Sequence, residues 1–139
     1  YDSIFKEAED GTLTSPMAAV TSTTASGGEY ITVASGTGTN ATPPSNGSSV
    51  ITFTTTGGTY NIWARTLMPS TAKNSFWVKI DGNAWFAWND DTNIAPDWQW
   101  NQITSLNLSA GTHTITIAYR EIGTQMDQVL ITNDPSFSW

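Results

Sequence analysis

The sequence has no cysteine, and so offers no thiol nucleophile, no cysteine-held zinc site and no thiol redox pair. Basic residues are nearly as scarce: five lysines and arginines stand against twelve aspartates and glutamates, giving a net charge of −7. Lys6, Arg65, Lys73, Lys79 and Arg120 cannot build the basic patch that phosphate contacts require, which works against nucleic acid and against acidic polysaccharides as partners. No apolar run approaches the roughly 20 residues of a membrane-spanning helix, so no membrane partner is expected. The single histidine, His113, has no GxSxG serine to activate, and no Gly-rich loop precedes a helix. Asp90 and Asp91 are adjacent in a polar loop, where two carboxylates are solvated rather than tuned into an acid–base pair. Catalysis is therefore not expected, although a small polysaccharide lyase or hydrolase stays open as an alternative.

What the chain does contain is threonine, serine, glycine and asparagine, with only 12% of residues charged, a balance common in secreted β-proteins. Its 139 residues fit one domain. Within 1–139, the low-complexity run 34–49 (ASGTGTNATPPSNGSS) reads as a long surface loop, because a boundary there would leave too little chain before it to fold alone. The abrupt start at Tyr1 is what a mature domain cut from a longer secreted protein would show.

Periodicity points to an all-β fold. Ile62 and Ala64 alternate with Trp63 and Arg65, Phe76, Val78 and Ile80 with Trp77 and Lys79, and Ile115, Ile117 and Tyr119 with Thr114, Thr116 and Ala118. Turn signals lie between these runs at Thr56-Gly57-Gly58, Asp81-Gly82-Asn83 and Ala110-Gly111-Thr112. Short strands at such spacing predict a sandwich of two antiparallel sheets.

The stretch Asn74 to Trp100, NSFWVKIDGNAWFAWNDDTNIAPDWQW, holds five of the seven tryptophans interleaved with amides and carboxylates. That mixture suits a sugar, whose C–H face packs on an indole while its hydroxyls take fixed donors and acceptors. Trp77, Trp85 and Trp100 read as core residues of strands. Trp88 and Trp98 flank the loop NDDTNIAP and read as exposed rings. Near the start, strand geometry sets Glu7 and Glu9 on one face, about 7 Å apart along the strand. Asp127 would join them if the first and last strands lie side by side, giving three carboxylates toward the six to eight oxygens that calcium takes.

Glu7-Ala8-Glu9, GGEYI (Gly27 to Ile31), YNIWAR (Tyr60 to Arg65), FWVKIDG (Phe76 to Gly82), WQWNQI (Trp98 to Ile103), LSAGTHTITIAYRE (Leu108 to Glu121) and MDQVLIT (Met126 to Thr132) together resemble, in order, carbohydrate-binding modules of the family 6, 35 and 36 group. The resemblance implies a β-jelly-roll sandwich with a structural calcium ion held by Glu7, Glu9 and Asp127. It also implies a glycan cleft at one end, with a sugar ring held between a tyrosine and a tryptophan and anchored by an asparagine. Those positions match Tyr30, Trp98 and Asn133. The single residue inside WQW, where family 6 members often have two, leaves both Trp88 and Trp98 as the second wall. Glu29 stands where many relatives carry an amide, and Asn74 and Asp90 or Asp91 complete the polar set. Tyr30 has a second reading as a core tyrosine, and Asn133 as part of a plain Asn-Asp-Pro turn.

The expected protein is thus a monomeric, non-catalytic module tethered to the catalytic domain of a secreted polysaccharide-degrading enzyme. Its partner is a neutral glycan, with galactan or agarose placed ahead of xylan and β-glucan on resemblance alone. Since each hydrogen bond to sugar adds only about 1 kcal/mol net, affinity should lie between micromolar and millimolar. The alternative from another class is a structural or protein-binding sandwich whose exposed aromatics form an interface.

Overall fold

The alternating runs fold into two antiparallel sheets packed face to face. A computed structural model describes residues 1–34, 38–89 and 93–138. In chain order the strands are β1 (Ser3–Glu7), β2 (Thr12–Leu13), β3 (Met17–Thr21), β4 (Glu29–Val33), β5 (Ser48–Thr55), β6 (Gly58–Leu67), β7 (Ser75–Ile80), β8 (Phe86–Asn89), β9 (Gln99–Leu108), β10 (Gly111–Tyr119) and β11 (Gln125–Thr132). Among the described residues there is no α-helix; two 3₁₀ turns, Ala8–Asp10 and Ser26–Gly28, interrupt the strands. One sheet is ordered β3-β4-β11-β6-β9 with β1 also paired to β11, and the other is ordered β2-β5-β10-β7-β8.

Period-2 patterning explains which side chains fill the interior. Phe76, Val78 and Ile80 of β7, Ile115 and Ile117 of β10, and Tyr60, Ile62 and Ala64 of β6 are buried, and they meet Ile31, Val33, Met126, Val129 and Ile131 from β4 and β11 in one core. Trp88 of β8 belongs to that core as well. Burial of these apolar faces is the main favourable term holding the sheets together.

The first and last strands do pair: β1 runs antiparallel to β11 from Ser3 opposite Thr132 to Glu7 opposite Gln128. β6 lines the other edge of β11, so β1 and β4 share one edge, β4 taking over at Met126 opposite Ile31. Where they meet, the register of β11 against β6 slips between Met126 and Gln128, which leaves Asp127 as the extra residue of a β-bulge. A bulge re-aims the side chain it carries. The sequence expectation of a strand running through Glu9 does not hold. β1 ends at Glu7, and the chain then turns through Ala8–Asp10, with the buried Ala8 held by a hydrogen bond from the Ser49 hydroxyl to its carbonyl (2.8 Å).

Candidate functional site

The turn and the bulge bring together the three carboxylates that spacing had singled out. Glu7, Glu9 and Asp127 each present an oxygen within 4.8 Å of the others. Two of the carboxylates are tied down through a single oxygen. Glu7 Oε1 accepts from the Ser26 hydroxyl at 2.6 Å and the Gln128 amide at 3.2 Å. Asp127 Oδ2 accepts from the Ser26 backbone N–H at 2.9 Å and from the Arg65 guanidinium, with which it forms an ion pair. Their other oxygens, Glu7 Oε2 and Asp127 Oδ1, together with Glu9 Oε1, are buried and have no hydrogen-bond partner.

Buried anionic oxygens without partners are costly, and the chemistry that relieves them is a cation. Burial, and after it the charges of Glu7, Asp127 and Asp10, pushes the Glu9 carboxyl up to about 7 against the pull of its own backbone N–H. Calcium–oxygen distances near 2.4 Å put ligands on opposite sides of the ion about 5 Å apart, so these oxygens fit one coordination shell. An all-oxygen donor set suits a hard divalent ion; the three residues would supply part of its shell, and backbone carbonyls or water the rest. Gly27 lies over the cluster with φ of 66°, and a Cβ there would sit 3.4 Å from Glu9 Oε2 and 3.5 Å from Glu7 Cδ. Glycine thus both accepts the left-handed turn and leaves the carboxylates room.

Beside this cluster, on the outer face of the six-stranded sheet, are Tyr30 and Trp98. Ile31 and Val33 of β4 point into the core, so Tyr30 points out, half-buried, and its reading as a core residue falls away. Its ring meets that of Trp98 edge to face, with centroids 5.6 Å apart and planes at 63°. The Trp98 indole N–H donates to Thr24 Oγ1 at 3.1 Å, and the Arg65 guanidinium carbon lies 5.3 Å from the Trp98 ring centre. The pair is therefore assembled, but as a joined corner rather than two walls. A sugar held between rings at carbon–carbon contacts of 3.5–4.0 Å on both faces would need a gap of roughly 8 Å. What the corner offers is its solvent-facing surface; Glu29, exposed at the start of β4, alternates with Tyr30 and so points to the opposite side of the strand.

Other expected site residues lie elsewhere. Trp88 is only 6% exposed; strand β8 extends through it, Phe76 is its partner across the ladder, and its indole N–H donates to the Gln102 carbonyl. Trp98 is thus the ring at the surface. Asn74, 2% exposed at the entry to β7, gives its backbone N–H to Glu121 and is shut away from a glycan. Asn133 lies beyond the other end of β11, about 23 Å from Met126 on strand rise, where its side-chain oxygen accepts from the Asp2 backbone N–H at 2.8 Å. It fastens the N-terminal strand and does not join Tyr30. Asp90, like Asp91, falls outside the described residues. Trp77, Trp85 and Trp100, expected in the core, are half-buried on outer faces: Trp77 under Arg120, Trp85 under Lys79, and Trp100 edge-on to Phe5.

Sequence reasoning missed Arg65, Thr24 and Ser26, which stitch the carboxylates to the aromatic corner. The signal for Arg65 was present in its outward register on β6, opposite Gln128 on one side and Trp100 on the other. Ser26 and Thr24 have no local signature, since the partners that matter here, Glu7, Asp127 and Trp98, lie 19, 101 and 74 positions away.

No family model and no curated protein matches this sequence. Solved structures do. A family 35 carbohydrate-binding module from Clostridium thermocellum superposes with a TM-score of 0.67 at 19% identity, over 93% of this chain and 98% of that one. The C-terminal family 6 module of a laminarinase from Zobellia galactanivorans gives 0.66 at 16% identity, over 95% and 100%. An exo-β-1,3-galactanase from Phanerochaete chrysosporium, solved with galactose, gives 0.73 at 15% identity; 95% of this chain is covered but only 30% of that enzyme. At these identities the likeness is one of fold, and the fold is the antiparallel β-sandwich those modules share.

Proposed function

We propose that this chain is a non-catalytic carbohydrate-binding module that takes a neutral glycan on the outer surface of the Tyr30–Trp98 corner, with a calcium ion at Glu7, Glu9 and Asp127 as a structural staple. The observation that carries the reading is the corner itself: two half-exposed rings joined on a sheet face, locked by Thr24 and Arg65. Apolar ring surface provides non-directional attraction for the C–H face of a pyranose, while the Tyr30 hydroxyl can both donate to and accept from a sugar hydroxyl. The net charge of −7 favours an uncharged chain, and a galactan is the first choice, in keeping with the neighbour solved with galactose. Membership in a secreted polysaccharide-degrading enzyme is part of the same reading, since appended sandwiches of this kind raise local enzyme concentration at a substrate.

Catalysis by the clustered carboxylates is disfavoured by burial. A glycosidase pair has to flank a scissile bond, yet the free oxygens of Glu7, Glu9 and Asp127 are covered by protein. Affinity electrophoresis through agarose, β-1,3-galactan, xylan and laminarin tests the proposal. Retardation in at least one gel, lost on Trp98→Ala without loss of fold, is expected; unimpeded migration in all four would end the sugar reading. The protein-binding alternative would then gain, with the 48%-exposed Phe5 as its natural centre.

A further inference from the structure

Between the carboxylate cluster and the aromatic corner run two physical links. Arg65 is the first. Its Nη1 pairs with Asp127 and also reaches the Thr24 carbonyl at 3.4 Å, while its guanidinium lies over the Trp98 ring. The second is the segment Ser22–Gly28, closed on itself by the Ser22 N–H to the Gly28 carbonyl (2.9 Å) and the Gly28 N–H to the Ala25 carbonyl (3.1 Å). At one point this segment holds the cluster, through both donors of Ser26; two residues earlier it holds the Trp98 indole, through Thr24.

We infer that cation binding at Glu7, Glu9 and Asp127 and glycan binding at Tyr30–Trp98 are positively coupled through Arg65 and the Ser22–Gly28 segment. The coupling rests on the function proposed above for its glycan half, but its protein half is independent of that reading. Without an ion, the three crowded carboxylates repel one another, and Arg65 is the cation drawn in against them. Motion of Glu7 or Asp127 away from the cluster removes the acceptors of Ser26, and so frees Thr24 and the indole it positions. With an ion bound, the cluster closes, Ser26 keeps both partners, and the corner is presented already ordered, so less conformational freedom is lost when a sugar lands on it. Linkage makes the effect reciprocal: glycan must tighten the ion by the factor with which the ion tightens glycan.

Two measurements test this. Calcium is titrated into chelator-treated protein while tryptophan emission is followed, with Trp98→Phe as the control that identifies the responding ring. A saturable change that disappears in Trp98→Phe and shrinks in Thr24→Val is expected; an emission unchanged by calcium, or one unaffected by Trp98→Phe, overturns the coupling. Retardation in the agarose or galactan gel is then compared in calcium and in EGTA, at a temperature where circular dichroism shows every variant folded. Wild type should bind at least fivefold more weakly in EGTA, the low end of usual allosteric couplings. Arg65→Met and Thr24→Val should lose most of that ratio while still being stabilised by calcium. Equal calcium dependence in wild type and both variants would refute the route. If no gel retards the wild type, the glycan reading fails, and the emission titration alone decides whether cluster and corner are linked.

Discussion

Trp88 and Trp98 stand ten positions apart in one aromatic-rich stretch, yet the first is packed among core side chains and the second is held at the surface by Thr24 and Arg65. Trp88→Ala should therefore cost about 3–5 kcal/mol, read from urea unfolding, as for other large core truncations. Trp98→Ala should cost about 1 kcal/mol or less, as surface changes do, and abolish gel retardation. Reading Trp88 from sequence failed because its loop begins one residue later than its polar neighbours suggest: Phe86 and Trp88 alternate inward, and only Asn89 closes the strand. His113 carries a different signal. Its Nδ1 lies 2.7 Å from Asp81 Oδ2 and its Nε2 2.7 Å from the Ser109 carbonyl, and only the doubly protonated ring can donate to both. The Ser109 carbonyl first, and then Asp81, raise its pKa above 6.5. A raised folded value means that this stabilisation is complete below the unfolded value of about 6.5 and fades as pH climbs through the folded one. Tm should fall as pH rises past about 6.5, and the fall should be smaller in His113→Gln, which leaves Glu9 in place as a second group with the same sign.

At the level of elements, β6, β7 and β10 were legible because each alternates over most of its length, with Trp63, Ser75 and Ala118 as buried residues outside the pattern. The pairing of β1 with β11 was legible only as a condition for gathering the carboxylates. The Ala8–Asp10 turn was not legible at all, because it is imposed from outside, by the burial of Ala8 and the hydroxyl of Ser49 on β5. Glu9 thus reaches the cluster by a turn and not by strand alternation, and Asp127 by a bulge that no periodicity announces. The Ser26–Gly28 turn above them is where a small change reaches the cluster directly. Gly27→Val puts a branched side chain at φ of 66° against Glu9 and Glu7. It should weaken calcium binding at least tenfold by isothermal titration, whereas Gly82→Ala, with open space around it, should leave calcium binding unchanged.

For the whole molecule, the carboxylate cluster joins β1, the first 3₁₀ turn and β11, so an ion there clamps chain segments about 120 positions apart. At a free calcium concentration 100 times Kd, the clamp should add about 2.7 kcal/mol. For a chain of this size that raises Tm by roughly 10 °C over the value in EGTA, measured by scanning calorimetry. A difference below about 1 °C would remove the metal from the proposal. The same arrangement sets an order of events during synthesis. Glu7 and Glu9 leave the ribosome well before Asp127 and have no third carboxylate until it follows, so ion capture by all three cannot guide the strands between them and can only seal the sandwich once β11 is made. With β1 docked on β11, closure of this sandwich depends on contacts distant in sequence, the kind that slow folding most.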